Sequence, residues 1–278
     1  MGDAMILDGR KIADDAREGL KKEVAELGFR PGLAIIRVGN DPASEVYTGI
    51  KKKVAAKLDI RCDIFHLPEG TEEETIAKIN EVNNNPDYHG LIVQLPLPTG
   101  FDEEKVLAAV SPEKDVDCLH PLNMGKLFLG IPEFTPATPT GVMAILDKSG
   151  IDPKGMEAVI IGRSKIVGKP LAAMLTQRNA TVTTCHTKTR DLAFHTKRAD
   201  LIIVAAGKAK LLTADMVSEK AVVIDVGISR TDDGLVGDAD FENIKDKVRA
   251  ITPVPGGVGP MTVTSLMQNV LKAARKNK

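Results

Sequence analysis

Tyr47 and Lys51 stand four residues apart in the segment SEVYTGIK, so on a helix they share one face. A phenol and an amine placed this way can bind an anion or move a proton. The run Lys51-Lys52-Lys53 equally suits a solvated face. Gln94 interrupts the apolar run LIVQL, and a buried amide must find partners in a ligand or in a neighbouring loop. Asp117 closes the segment PEKDVD. Its two oxygens can accept from paired N–H donors of a heterocycle, or they can cap a turn. In TPVPGGVGPMT, Gly256, Gly257 and Gly259 follow Pro255, so the backbone there can approach a ligand closely or act as a hinge.

A further stretch, AVIIGRSKIVGKPL, reads as strand, glycine turn and helix start. Val159–Ile161 is β-branched and suits a strand buried on both faces. Gly162 ends it, and Pro170 fits the first turn of a helix. Free N–H groups at such a junction make an anion site, although an ordinary strand–helix connection has the same outline. The dinucleotide fingerprint is matched imperfectly, because Ser164 holds its second glycine position. A Walker-type loop fits worse, with Pro170 where Ser or Thr should stand. The next strand, ending at Cys185, runs into His186-Thr187-Lys188 and meets no carboxylate before Asp191. An NAD site places an acidic residue there for the ribose hydroxyl. With Arg163 in the preceding loop, the pattern favours a 2′-phosphate and hence NADP.

These groups need elements to position them. A chain of 278 residues with 43% apolar content suits two domains. A net charge of −1, no Trp and only 3% aromatic residues exclude a basic, base-stacking surface for nucleic acid. Cys62, Cys118 and Cys185 are odd in number and scattered, which points to a reducing compartment and not to a disulfide framework. The histidines, His186 and His195 among them, show no metal-ligand spacing, so no metal is expected. No signal peptide is apparent, and the longest apolar run, residues 201–206, cannot span a bilayer; a cytoplasmic protein is expected.

Apolar spacing predicts helices over residues 12–27, from Pro42 to about Leu58, from Thr71 to Asn83 with a capping box, and over 102–110. Strands are predicted over 33–38, 61–67 and 91–95. Residues 111–140 hold five prolines and little periodicity, so a crossover with a mobile functional loop is expected. A helix over 141–149 then precedes strands at 159–161, 181–185, 201–205, 222–226 and 250–251, and a helix over 263–276. Alternating strands and helices predict α/β layers with parallel sheets and a ligand at the strands' carboxyl ends, between two domains.

Taken in order, YTGIK, VQLPLP, PEKDVD, GRSKIVGKP, ATVTTCHTKT and TPVPGGVGPMT closely resemble the bifunctional methylenetetrahydrofolate dehydrogenase/cyclohydrolase family, over essentially the whole chain. The resemblance implies an α/β protein of two domains. Residues 1–140 with a C-terminal helix over 263–278 would carry folate and catalysis. Residues 141–262 would form a Rossmann-like parallel-sheet NADP domain. It implies oxidation of 5,10-methylenetetrahydrofolate with NADP and hydrolysis of the methenyl product to 10-formyltetrahydrofolate, in a homodimer joined through the cofactor domain. Lys51 matches the key cyclohydrolase residue, bonded to Gln94; Tyr47 matches the ring that stacks on folate, and Asp117 the carboxylate at the pterin edge. Pro255, Gly256 and Gly257 match the substrate loop, and Gly162, Arg163, Ser164, Thr187 and Ile228 match cofactor positions. Cys118 stands where many relatives have Gly, and Thr187 replaces a common Ser.

Two other readings compete. An NADP-dependent dehydrogenase of a small hydroxy or amino acid would want a cation for the substrate carboxylate and a hydride-relay acid. A non-catalytic NADP-binding module would have no need of Lys51, Gln94 and Asp117.

Overall fold

The computed structural model describes residues 4–231 and 234–276. The last two positions of the predicted C-terminal helix, like the first three of the chain, lie outside the described residues. The chain divides into two compact units, one of Met1–Asp14 with Thr138–Thr262, the other of Asp15–Ala137 with Val263–Lys278.

In chain order the elements are β1 (Met5–Ile6), α1 (Gly9–Ala25), β2 (Gly32–Val38), α2 (Pro42–Lys57), β3 (Arg61–Leu67), α3 (Glu72–Asn84), β4 (Gly90–Gln94), α4 (Glu103–Ala108), α5 (Pro121–Phe128) and α6 (Ala137–Lys148). There follow β5 (Glu157–Ile161), α7 (Gly168–Gln177), β6 (Thr181–Cys185), α8 (Leu192–Thr196), β7 (Leu201–Val204), β8 (Val222–Asp225), β9 (Ser229–Thr231), β10 (Gly234–Val236), α9 (Phe241–Ile244), β11 (Ala250–Ile251) and α10 (Val258–Lys276).

The unit built on residues 15–137 and 263–278 centres on a parallel sheet in the order β3-β2-β4. Every residue of β2 is buried. Its side chains alternate between two cores: Leu33 and Ile35 pack with Val54 of α2 and Leu266 and Val270 of α10, while Ala34, Ile36 and Val38 pack with Ile79 and Val82 of α3. Each fully buried Ile or Leu stabilises by roughly 1.5–3 kcal/mol relative to exposure, so β2 anchors the whole unit. Asp41 caps α2 by accepting from Ser44 N at 2.7 Å, with Pro42 in the first turn. The capping box predicted for α3 is formed, with Thr71 Oγ1 accepting from Glu74 N and Glu74 Oε2 accepting from Thr71 N.

The other unit is a six-stranded parallel sheet in the order β1-β11-β8-β7-β5-β6. Ala158 and Ile160 of β5 face a core with Leu171, Leu175 and Leu146; Val159 and Ile161 face the opposite core with Val204, Val223 and Ile251. The strand order reverses at β5, whose neighbours are β6 on one side and β7 on the other. Open parallel sheets bind ligands at such a switch point, beyond the strands' carboxyl ends.

Three expectations are corrected. Residues 4–14, within the expected first domain of 1–140, belong to the six-stranded unit instead, because β1 pairs with β11. Two backbone hydrogen bonds at a sheet edge leave too short a pattern to read in sequence. The crossover holds a regular helix, α5, and α6 begins at Ala137, ahead of the predicted start at 141; proline at a first helical turn breaks nothing. For the same reason α10 begins at Val258 and takes in Pro260, five residues before the predicted start. Among the described residues no helix is long and apolar enough to cross a membrane.

Candidate active site

α2 carries Tyr47 and Lys51 one turn apart, and its packing over the sheet brings Lys51 to the end of β4. Lys51 Nζ donates to Gln94 Oε1 at 3.0 Å. Gln94 Nε2 in turn donates to Leu95 O at 2.7 Å, which fixes the amide so that its oxygen faces the amine. Both side chains are half-buried, while Tyr47 is 40% exposed. Desolvation pushes the Lys51 pKa down from its ordinary 10.5, and the Asp117 carboxylate and Cys62 oppose the shift. Burial pushes the Cys62 thiol up to about 11, so it stays protonated and inert at neutral pH.

Asp117 sits in a loop that the sequence led us to expect as mobile, but the loop is tightly bonded. The buried Asp115 carboxylate accepts from Leu119 N at 3.0 Å, His120 N at 2.9 Å and Asn123 Nδ2 at 2.8 Å. Leu91 N donates to Lys114 O at 2.7 Å, and Asn269 Nδ2 donates to Val116 O at 2.8 Å. Asp117 is thereby held between β4 and α10 with its half-buried carboxylate in electrostatic range of Lys51. Cys118 adopts φ +58° and is fully buried, its thiol donating to Phe134 O at 3.2 Å. The left-handed conformation that glycine takes freely is therefore kept by cysteine, at a cost of about 1–2 kcal/mol.

In the six-stranded unit the residues expected at a cofactor lie on loops at the carboxyl ends of adjacent parallel strands. Gly162 follows β5 at φ +128°, and a Cβ there would lie 2.2 Å from Ala205 O, so only glycine fits. Arg163 and Ser164 are exposed. Ser164 Oγ accepts from Val167 N at 3.1 Å and from Gly168 N at 3.5 Å, doing the work of a helix cap for α7. Thr187 and Lys188 follow β6, in a turn closed by Thr189 N to His186 O at 2.8 Å. Ile228 follows β8 and is 42% exposed. Pro255, Gly256 and Gly257 follow β11; Gly256 O accepts from Arg10 N at 2.8 Å, and Gly257 is buried against Pro253 O. An exposed guanidinium, an exposed ammonium and a hydroxyl at the ends of β5 and β6 form a donor set that suits a phosphate dianion.

The NAD(P)-binding-domain model of tetrahydrofolate dehydrogenase/cyclohydrolase matches residues 136–278, and the catalytic-domain model of the same enzyme matches residues 7–117. The chain belongs to the tetrahydrofolate dehydrogenase/cyclohydrolase family. A relative in this family from Nautilia profundicola, the bifunctional protein FolD, is 52% identical over 275 residues that make up 97% of each chain. The solved FolD methylenetetrahydrofolate dehydrogenase/cyclohydrolase of Campylobacter jejuni matches with a TM-score of 0.97 at 45% identity, over 99% of this chain and 100% of its own. The Trypanosoma brucei FolD structure, solved with NADP cofactor and an inhibitor, matches with a TM-score of 0.95 at 36% identity over 99% of both chains.

Three residues of this family member went unseen in the sequence. Asp115 lay inside PEKDVD but carried no signal separate from Asp117. Asp225 and Asp238 are buried acids whose partners are all backbone amides, and amide contacts leave no trace in residue type.

Proposed function

We propose that this chain is a bifunctional enzyme that oxidises 5,10-methylenetetrahydrofolate to the methenyl form with NADP and hydrolyses that product to 10-formyltetrahydrofolate. The observation that carries the reading is the Lys51–Gln94 pair beside Asp117, with desolvation favouring the neutral amine. Names of relatives and the two family-model matches support it from outside the site.

The unit of residues 15–137 and 263–278 is assigned the folate chemistry. Asp117 accepts paired N–H donors of the pterin edge, and Tyr47, exposed on α2, stacks on the folate ring. Oxidation leaves a cation spread over two nitrogens, so that step needs alignment more than acid–base help. Hydrolysis does need proton transfer. Neutral Lys51 takes a proton from water as its oxygen bonds to the methenyl carbon. The protonated amine then returns a proton to the ring nitrogen as the carbon–nitrogen bond breaks, and the hydroxyl proton leaves to solvent. Gln94 aims the amine.

The six-stranded unit is assigned to NADP, which supplies a hydride acceptor when bound. Gly162 and Ser164 shape the loop, Arg163, Thr187 and Lys188 hold the 2′-phosphate, and Ile228 packs on the cofactor. Pro255, Gly256 and Gly257 contribute a substrate-facing backbone. The reading includes a homodimer and a cytoplasmic place in one-carbon metabolism; three buried free thiols suit a reducing compartment.

A spectrophotometric assay with methylenetetrahydrofolate tests the reading: absorbance of NADPH, then decay of the methenyl band without NADP. Turnover of a small hydroxy or amino acid in place of the folate would sink it, and light scattering in solution tests the dimer.

A further inference from the structure

Four backbone segments converge at the carboxyl edge of the six-stranded sheet, around two buried carboxylates. Asp238 is wholly buried, and its Oδ2 accepts from both Ala206 N and Gly207 N at 2.7 Å, the two amides that come after Ala205 at the end of β7. Asp225, at the end of β8, accepts from Gly227 N at 2.9 Å, Asp238 N at 3.0 Å and Ala239 N at 2.8 Å. The Asp225 N–H donates to Thr252 Oγ1 at 2.8 Å, tying in the chain after β11.

The two acids interlock through two glycines. A Cβ on Gly227 would lie 2.1 Å from Asp238 Cγ, and a Cβ on Gly237 would lie 1.9 Å from Asp225 Oδ2. Each carboxylate thus packs onto the glycine beside the other. The register passes on to the cofactor loop: Ala205 O abuts Gly162, and Gly162 O abuts Gly168 at the start of α7, 2.2 Å from a Cβ placed there in each case. Every link in this series is backbone or a fully buried group, so the loops after β5, β7 and β8 are in continuous close contact.

We infer that Asp238 is a positioning residue for the dinucleotide: its two amide bonds fix the turn after β7, and that turn sets the Gly162–Ser164 loop. The inference rests on the proposal that this loop binds NADP. Asp238 itself is fully buried, beneath the exposed Ala206-Gly207 turn, and so acts through Ala206, Gly207 and Ala205. Both amide bonds fall on one oxygen, and the other oxygen, Oδ1, has no hydrogen-bond partner among the described residues. An asparagine can therefore keep both bonds on its carbonyl oxygen, whereas alanine keeps neither.

The test uses the full chain. NADP Kd is measured by titration, and both activities are assayed in the same preparation of wild type, Asp238→Ala and Asp238→Asn, with cyclohydrolase assayed on methenyltetrahydrofolate without NADP. For Asp238→Ala the NADP Kd and dehydrogenase KM are expected to rise roughly tenfold or more, as the turn and the loop it sets lose their fixed geometry. Cyclohydrolase is expected to stay within about threefold, and Asp238→Asn to recover most of the NADP affinity. An equal fall of both activities, or no recovery with asparagine, overturns the inference and leaves Asp238 a purely structural acid. If the alanine variant does not fold, Asp238→Ser, which keeps a small polar group but cannot span both amides, is expected to give the same split; unchanged NADP affinity in it also overturns the inference. Failure of the wild type to bind NADP at all would refute the cofactor assignment itself, a result distinct from these.

Discussion

Lys51 Nζ lies 3.0 Å from an oxygen of Gln94 that cannot turn away, because the same amide donates to Leu95 O. The amine therefore faces an acceptor with no charge. It gains direction from Gln94 without the pKa rise that a carboxylate at that distance would bring. Burial then favours the neutral amine.

Lys51→Met keeps the length of the side chain and removes the titrating group. The variant is expected to reduce NADP with methylenetetrahydrofolate and to accumulate the methenyl compound, with cyclohydrolase down ~10²-fold or more, the scale of general acid–base catalysis. The ratio of the two rates in one folded preparation is the measurement. Hydrolysis near wild type with weakened dehydrogenation would make Lys51 a positioning residue.

Because the Lys51 pKa is lowered, the neutral base is populated at pH values below its ordinary 10.5. Cyclohydrolase kcat is expected to rise with pH along a single limb that ends below that value. Gln94→Glu puts a carboxylate against the amine, stabilises its charged form and moves the limb to higher pH. A profile unmoved by Gln94→Glu would separate the limb from Lys51.

Arg163→Ala is expected to raise KM for NADP far more than KM for NAD. The lost charge-assisted bond to the 2′-phosphate costs ~1.5–3 kcal/mol, or roughly ten- to hundredfold. Equal effects on the two cofactors would remove Arg163 from that phosphate.

Asp117→Asn leaves a side chain of the same size with only one accepting atom. Dehydrogenase and cyclohydrolase are expected to weaken together, since one bound folate serves both. Steady-state kinetics of each reaction decides the point: loss of one alone would give Asp117 a different part.

Asp225 carries a pH signature in folding. Desolvation raises its pKa to about 6 from 3.8, against the pull of the backbone amides it accepts from. A carboxyl whose folded pKa is raised contributes stability that is full below the unfolded value and lost as pH rises through the folded one. Between pH 4 and pH 7 this group alone is expected to withdraw roughly 2 kcal/mol. Urea unfolding of wild type and Asp225→Asn across that range isolates it: relative to the variant, the wild type should lose stability as pH rises. Parallel profiles would contradict the assignment.

Much of this protein was determined locally. The β-branched run at Val159–Ile161, the Thr71–Glu74 capping box and the Asp41-Pro42 start of α2 each act within one turn or strand, so residue type and spacing suffice to specify them. The exposed donor set of Arg163, Thr187 and Lys188 was legible for the same reason, each residue being next to a strand end that announces itself. Tertiary structure decided what depends on distant partners. Lys51 meets Gln94 across 43 positions of sequence, and it is the packing of α2 over the β3-β2-β4 sheet that takes its amine out of water. Met5 and Ile6 join the far sheet only because Ala250 and Ile251 present a free edge to them. Asp238 reaches Ala206 and Gly207 across more than thirty positions through bonds to main-chain amides. Every residue but proline has such an amide, so no choice of residue type could have advertised them.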